Sequence, residues 1–146
     1  MSSRKVLSLL VAVCFGLVMA GVAMAADKGP ETITMDSKVF PEHKKALVIF
    51  SHAKHNVDYK IACTECHHIY QDGKNVWKEG DEVKKCDSCH TGAKAPAEPK
   101  LSKEEQIKGY YYSAIHENCK GCHKAAKKEG KAAPTTCTEC HPKAAE

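Results

Sequence analysis

Cys63, Cys66 and His67 stand at positions i, i+3 and i+4. The same C-x-x-C-H arrangement recurs at Cys86, Cys89 and His90, at Cys119, Cys122 and His123, and at Cys137, Cys140 and His141. On a helical turn these three positions share one face. Two thiols so placed can meet the two vinyl groups on one edge of a porphyrin while the histidine meets the iron, the attachment pattern of a c-type haem. The expected cofactors are therefore four c-type haems (haem c, iron) bound through all eight of these cysteines. Structural zinc held by paired C-x-x-C units is the rival chemistry. It gives no reason for a histidine after every second cysteine.

Each iron needs a second axial ligand or an open position. Five histidines lie outside the motifs: His43, His52, His55, His68 and His116. Beyond the first 25 residues the only methionine is Met35, so the higher-potential methionine ligation can serve one haem at most. Four further imidazoles would make every haem bis-histidine. His43 sits in the charged stretch Pro41-Glu42-His43-Lys44-Lys45 and is the expected spare. The expected metal ligands are His52, His55, His67, His68, His90, His116, His123 and His141, with no catalytic residue. His67 and His68 are adjacent, so their side chains diverge; one can bind its own haem while the other reaches a neighbouring one.

The elements that must position these groups are short. Residues 1–25 read as a cleaved signal peptide: Arg4 and Lys5, an apolar run, then Ala23-Met24-Ala25 as the cleavage site. An uncleaved anchor is the alternative, because the apolar run is nearly long enough to span a bilayer. Residues 26–146 form one domain. Ile33 and Met35 alternate with polar residues, and residues 46–50 are a compact apolar run, so both read as short strands able to pair. Ser51 is placed to cap a helical turn carrying His52 and His55 on one face. Residues 71–85 are polar, with Gly73 and Gly80 as turn signals. The best helix is predicted over 101–117. It opens on a Ser102/Glu105 capping box and carries Ile107, Tyr111 and Ile115 at helical spacing, with Gly109 its weak point. Helix is predicted to continue over 119–129 and end at Gly130.

Composition says what the core must be. After residue 25 only fifteen residues are Leu, Ile, Val or Phe, about 12% of that part. So little aliphatic surface cannot offset the entropy of ordering the chain. The fold class expected is mainly α with much irregular structure and a small N-terminal two-stranded β element, the haems serving as the core. No cysteine outside the leader is left over for disulfides. Without Arg4 and Lys5 the basic residues exceed the acidic ones by two, and eight haem propionates would turn the balance negative. Nucleic acid is not an expected partner, since no reading motif is present. Lys120, Lys124, Lys127, Lys128, Lys131 and Lys143 crowd the last two motifs. They are either a solvated helical face or a docking patch for an acidic partner.

On these residues the chain resembles the class III cytochromes c, the tetrahaem cytochrome c3 family of sulfate-reducing bacteria. The marks are Phe50-x-His52-x-x-His55, Cys63-x-x-Cys66-His67-His68, and Gly109-Tyr110-Tyr111-Tyr112 leading to His116. The resemblance implies ligand pairs: His52 with His67, His68 with His90, His55 with His123, and His116 with His141. It also implies a compact cytochrome c3-like fold with exposed haem edges, and electron exchange with periplasmic hydrogenase and membrane-bound multihaem redox complexes. Many members carry a longer C-x4-C-H at the second and fourth sites. All four motifs here are C-x-x-C-H, which leaves type I or type II membership open.

The function expected is that of a periplasmic, monomeric, low-potential electron carrier rather than an enzyme, serving anaerobic sulfate respiration without stable membrane insertion. Proton uptake coupled to electron uptake, through propionates near the irons, is a further expectation. The alternatives are a small multihaem reductase, which needs one iron without a sixth ligand, and a membrane-anchored quinol-oxidising tetrahaem cytochrome.

Overall fold

The structure, a computed structural model, describes residues 29–142. The expected leader and Lys143 lie outside the described residues. Strands β1 (Ile33–Thr34) and β2 (Ile49–Phe50) pair antiparallel, Ile33 opposite Phe50 and Thr34 opposite Ile49. The Met35 amide extends the pairing by donating to the Val48 carbonyl at 2.9 Å. The two strands anticipated from sequence therefore form one small sheet. It fixes where the histidine-bearing turn begins, because Ser51 follows β2 directly. That turn is a π-helical segment, Lys54–Asp58. The Ser51 carbonyl receives both the backbone amide of His55 (3.3 Å) and its ring Nδ1–H (2.8 Å).

A second hairpin lies where the sequence reading placed only a polar stretch. Strands β3 (Tyr70–Gln71) and β4 (Lys74–Asn75) pair with Gln71 opposite Lys74. Asp72 and Gly73 form the two-residue connection, with φ of 49° and 75°. Both left-handed values belong to a type I′ turn, for which Asp-Gly is a preferred pair.

The long helix predicted over 101–117 is in fact two. Helix α1 (Lys103–Gly109) starts on the expected capping box: the Ser102 hydroxyl accepts from the Glu105 amide at 3.2 Å, and the Ser102 amide donates to the Glu105 carboxylate at 2.8 Å. Tyr110 is extended, with φ −127° and ψ 123°, and helix α2 (Tyr111–Lys128) begins after it. The break comes from the loop carrying Gly92. Gly92 N–H donates to the Gly109 carbonyl (2.9 Å), Tyr111 N–H to the Gly92 carbonyl (2.7 Å), and Tyr112 N–H to the Ala93 carbonyl (3.1 Å). Backbone groups that would have continued one helix are satisfied from outside it. Helix α2 runs without interruption through the third motif and stops just before Gly130, as predicted. Helix α3 (Cys137–Cys140) carries the fourth motif.

Among the described residues the buried apolar side chains are Trp77, Tyr111 and Ala114. Tyr111 meets Phe40 edge-on, with centroids 5.9 Å apart. Ser37, 2% exposed, donates its hydroxyl to Asp87 at 2.9 Å and so ties the segment after β1 to the second motif. The polypeptide alone supplies a very small interior, as the composition anticipated.

Candidate haem centres

Three of the four motifs close as tight turns that throw their histidines off the end. The first two are 3-10 turns, Cys63–Glu65 and Cys86–Ser88. In three of the motifs the histidine amide reaches back to the first cysteine carbonyl: His67 to Cys63 at 2.8 Å, His90 to Cys86 at 2.9 Å and His141 to Cys137 at 2.8 Å. The third motif lies inside α2. Helix α3 is held at its start by a second capping box. The amides of Thr135 and Thr136 donate to the Glu139 carboxylate at 3.0 and 2.8 Å, with the Thr136 hydroxyl at 2.7 Å. Those donors stabilise the ionised carboxylate and hold its pKa down at about 2.

The thiols crowd together. Burial pushes the Cys119 thiol up to about 11, with Cys66, Cys140 and Cys86 of the other three motifs adding to the rise. Burial likewise raises Cys66 and Cys86.

The histidines face one another in pairs. The ring centroids of His52 and His67 are 6.3 Å apart, those of His68 and His90 6.0 Å, those of His55 and His123 6.2 Å, and those of His116 and His141 6.2 Å. Two imidazoles on opposite sides of one metal, each bonded through nitrogen at about 2 Å, stand about 6 Å apart between ring centres. The planes are close to parallel in two pairs, at 29° and 27°, and steeply crossed in the other two, at 67° and 85°. His43, the expected spare, is in none of these pairs. It sits 3.0 Å from the Asp36 carboxylate.

In six of these eight rings Nδ1 meets a backbone carbonyl, so Nδ1 carries the proton and Nε2 is left with its lone pair. The acceptors are Pro30 for His52 (3.0 Å), Ser51 for His55 (2.8 Å), Lys108 for His90 (3.2 Å), Tyr112 for His116 (2.8 Å), Pro134 for His123 (2.7 Å) and Ala46 for His141 (2.8 Å). This is the arrangement that fixes a metal-binding imidazole in tautomer and direction. His67 and His68 are held by aromatic rings instead. His67 packs on Trp77 with centroids 5.0 Å apart, and His68 on Tyr70 at 5.2 Å. Burial, then the neighbouring histidines, push the pKa of both rings down, toward the neutral form a metal needs.

The sequence reading missed two contributors. Trp77 is the larger. Its ring backs His67 and its indole N–H donates to the Glu82 carbonyl at 3.3 Å. Asn75 is the second. Its side-chain amide donates to the His67 carbonyl at 3.0 Å, and its oxygen accepts from Ile69 (3.0 Å) and Trp77 (3.1 Å). Gly73, in the turn that positions Asn75, was visible in sequence as a turn signal; the distant contact that turn serves was not.

Among the described residues no three His, Cys, Asp or Glu side chains converge on one point, as a structural zinc site would require. Paired imidazoles beside paired thiols fit a c-type haem. The sequence profile of the class III cytochrome c family matches residues 28–141. The chain belongs to that family. It is 36% identical over 120 residues to a cytochrome c3 of Maridesulfovibrio salexigens, covering 78% of this chain and 95% of that one. It is 33% identical over 99 residues to a cytochrome c3 of Desulfovibrio desulfuricans, covering 68% and 81%. It is 32% identical over 121 residues to the 26 kDa cytochrome c3 of Desulfomicrobium norvegicum, covering 77% and 94%. As a class III cytochrome c, the chain binds c-type haems and is a multihaem electron carrier. Among the described residues no helix is long and apolar enough to cross a membrane.

Proposed function

We propose that this class III cytochrome carries low-potential electrons in the periplasm, between hydrogenase and membrane-bound multihaem complexes of sulfate respiration, and catalyses no reaction of its own. In this reading residues 1–25 are removed on export and residues 26–146 are the tetrahaem domain, acting as a monomer. The eight motif cysteines hold four haems by thioether bonds. The axial pairs are His52 with His67, His68 with His90, His55 with His123, and His116 with His141. The observation that carries the reading is the set of four imidazole pairs at 6.0–6.3 Å.

When bound, a haem supplies a reversible one-electron couple. The chain's own residues set its character. Two imidazoles held for each iron would leave it no open position for a substrate. Imidazole in place of thioether keeps the potential low. The backbone carbonyls that accept from Nδ1 raise the basicity of six of the eight rings, which favours the oxidised iron and lowers the potential further.

Partner choice rests on charge. Lys120, Lys124, Lys127 and Lys128 of α2, with Thr135, line a shallow surface depression of about 400 Å³ beside the last two motifs. Lys131 is paired with Glu129 at 2.7 Å and adds less. Such a surface speeds encounter with an acidic partner and loses its advantage in salt. The test is hydrogen-driven reduction by a periplasmic hydrogenase, followed by stopped flow. Full reduction is expected, at a rate that falls with ionic strength and in a K124E/K128E variant. Failure to be reduced, or a rate indifferent to both, would overturn the assignment of partner.

A further inference from the structure

Three contacts meet at Tyr112, outside the motifs. Its backbone carbonyl accepts the Nδ1–H of His116 at 2.8 Å. Its ring lies against the His116 ring, centroids 4.1 Å apart and planes 31° apart. The Lys94 ammonium stands over the same Tyr112 ring, 5.4 Å from its centroid. His116 in turn faces His141 at 6.2 Å. Lys94 comes from the loop that splits α1 from α2, and Tyr112 N–H donates to Ala93 next to it. One hydrogen-bonded junction therefore fixes cation, phenol ring and imidazole in a row. Among the other histidines Phe50, Trp77 and Tyr70 lie against His55, His67 and His68. Tyr59 also neighbours a histidine and has Lys54 over its ring at 5.9 Å, but it meets His55 edge-on at 5.9 Å, whereas Tyr112 lies flatter against His116 at 4.1 Å with its lysine closer.

We propose that Tyr112 is a positioning residue for His116, and that Lys94, seated on its ring, raises the reduction potential of the haem attached at Cys137 and Cys140. This rests on the pairing of His116 with His141 proposed above. The physics is electrostatic. Reduction removes one positive charge from the iron, so a nearby fixed cation favours the reduced state. The Tyr112 ring holds the cation in place through its negative face. It also blocks rotation of His116 about its own hydrogen bond, which sets the angle of the imidazole over the iron. The potential of the fourth haem is thereby tuned by a surface group in addition to its ligands.

The experiment is a redox titration of the holoprotein followed by NMR of the haem methyls, with low-temperature EPR of the oxidised protein. K94Q is expected to disfavour reduction of that one haem about threefold, a fall of about 30 mV at 59 mV per tenfold for one electron. K94R is expected to restore the wild-type value. The shift is expected to shrink in high salt, and to be smaller in a Y112L background, whose backbone carbonyl is kept. Y112L alone is expected to alter the EPR signal of that haem without making it high-spin. A fourth haem that is low-spin in wild type but whose potential is unmoved by K94Q overturns the proposal alone. A fourth haem that is high-spin in wild type overturns the pairing, and the proposal with it.

Discussion

His67 and His68 are neighbours in the chain and face different partners, His67 toward His52 at 6.3 Å and His68 toward His90 at 6.0 Å. The first pair belongs to the motif that carries His67, the second to a motif that starts at Cys86. In the proposed ligation one dipeptide would thereby tie two haem sites at a separation set by a single peptide unit.

Replacing His68 with alanine should therefore remove one ligand from the second haem and leave His67 in place. The oxidised H68A holoprotein is expected to show one high-spin and three low-spin haems by EPR, with a raised potential for the altered one. H43A is expected to keep four low-spin haems, because His43 meets Asp36 instead. High-spin signal in H43A would mean that the spare was wrongly chosen.

Trp77 is 7% exposed and backs the His67 ring. W77A should cost about 3 kcal/mol in denaturant unfolding of the holoprotein, the usual range for losing a buried aromatic. W77F, which keeps a ring against His67, should cost clearly less. Equal losses would show that the indole contact to Glu82 matters more than the stacking.

Gly92 approaches Tyr110 so closely that an added Cβ would lie 2.5 Å from Tyr110 Cδ1 and 3.0 Å from the Gly109 carbonyl oxygen. G92A should lower stability by about 1–3 kcal/mol through overpacking, read as a lower unfolding midpoint. An unchanged midpoint would show that the junction between α1 and α2 yields easily.

The hydrogen bonds from the Ser102 hydroxyl and amide hold the Glu105 carboxyl below its usual pKa of 4.5. Folding thus favours its ionised form. The stability it contributes is complete above that usual value and is lost as the pH falls through the lowered one. Amide exchange in α1 is expected to speed up in that acid range. S102A should speed it at neutral pH too, by a loss of about 1 kcal/mol, and flatten the acid dependence.

The chemistry was legible because covalent and coordinate bonds impose fixed spacings. C-x-x-C-H must be local, and a tally of histidines needs no fold. The two short strands showed, one as Ile33 and Met35 alternating with polar residues and the other as the apolar run at 46–50, and Ser102/Glu105 marked the start of α1. The break at Tyr110 did not show, because its cause is a loop eighteen residues upstream that donates and accepts across it. Gly73 was read as a turn signal but not as part of a hairpin, since the strands its turn joins are two residues each and have no alternation to display. Trp77 was passed over for a related reason. Its place against His67 depends on that hairpin, not on any pattern in its own neighbourhood.

The most direct test is low-temperature EPR of the oxidised holoprotein, integrated against covalently bound iron. The account predicts four haems per chain, all low-spin with two imidazole ligands each. Fewer than four attached haems, or a high-spin signal in the unaltered protein, would contradict it.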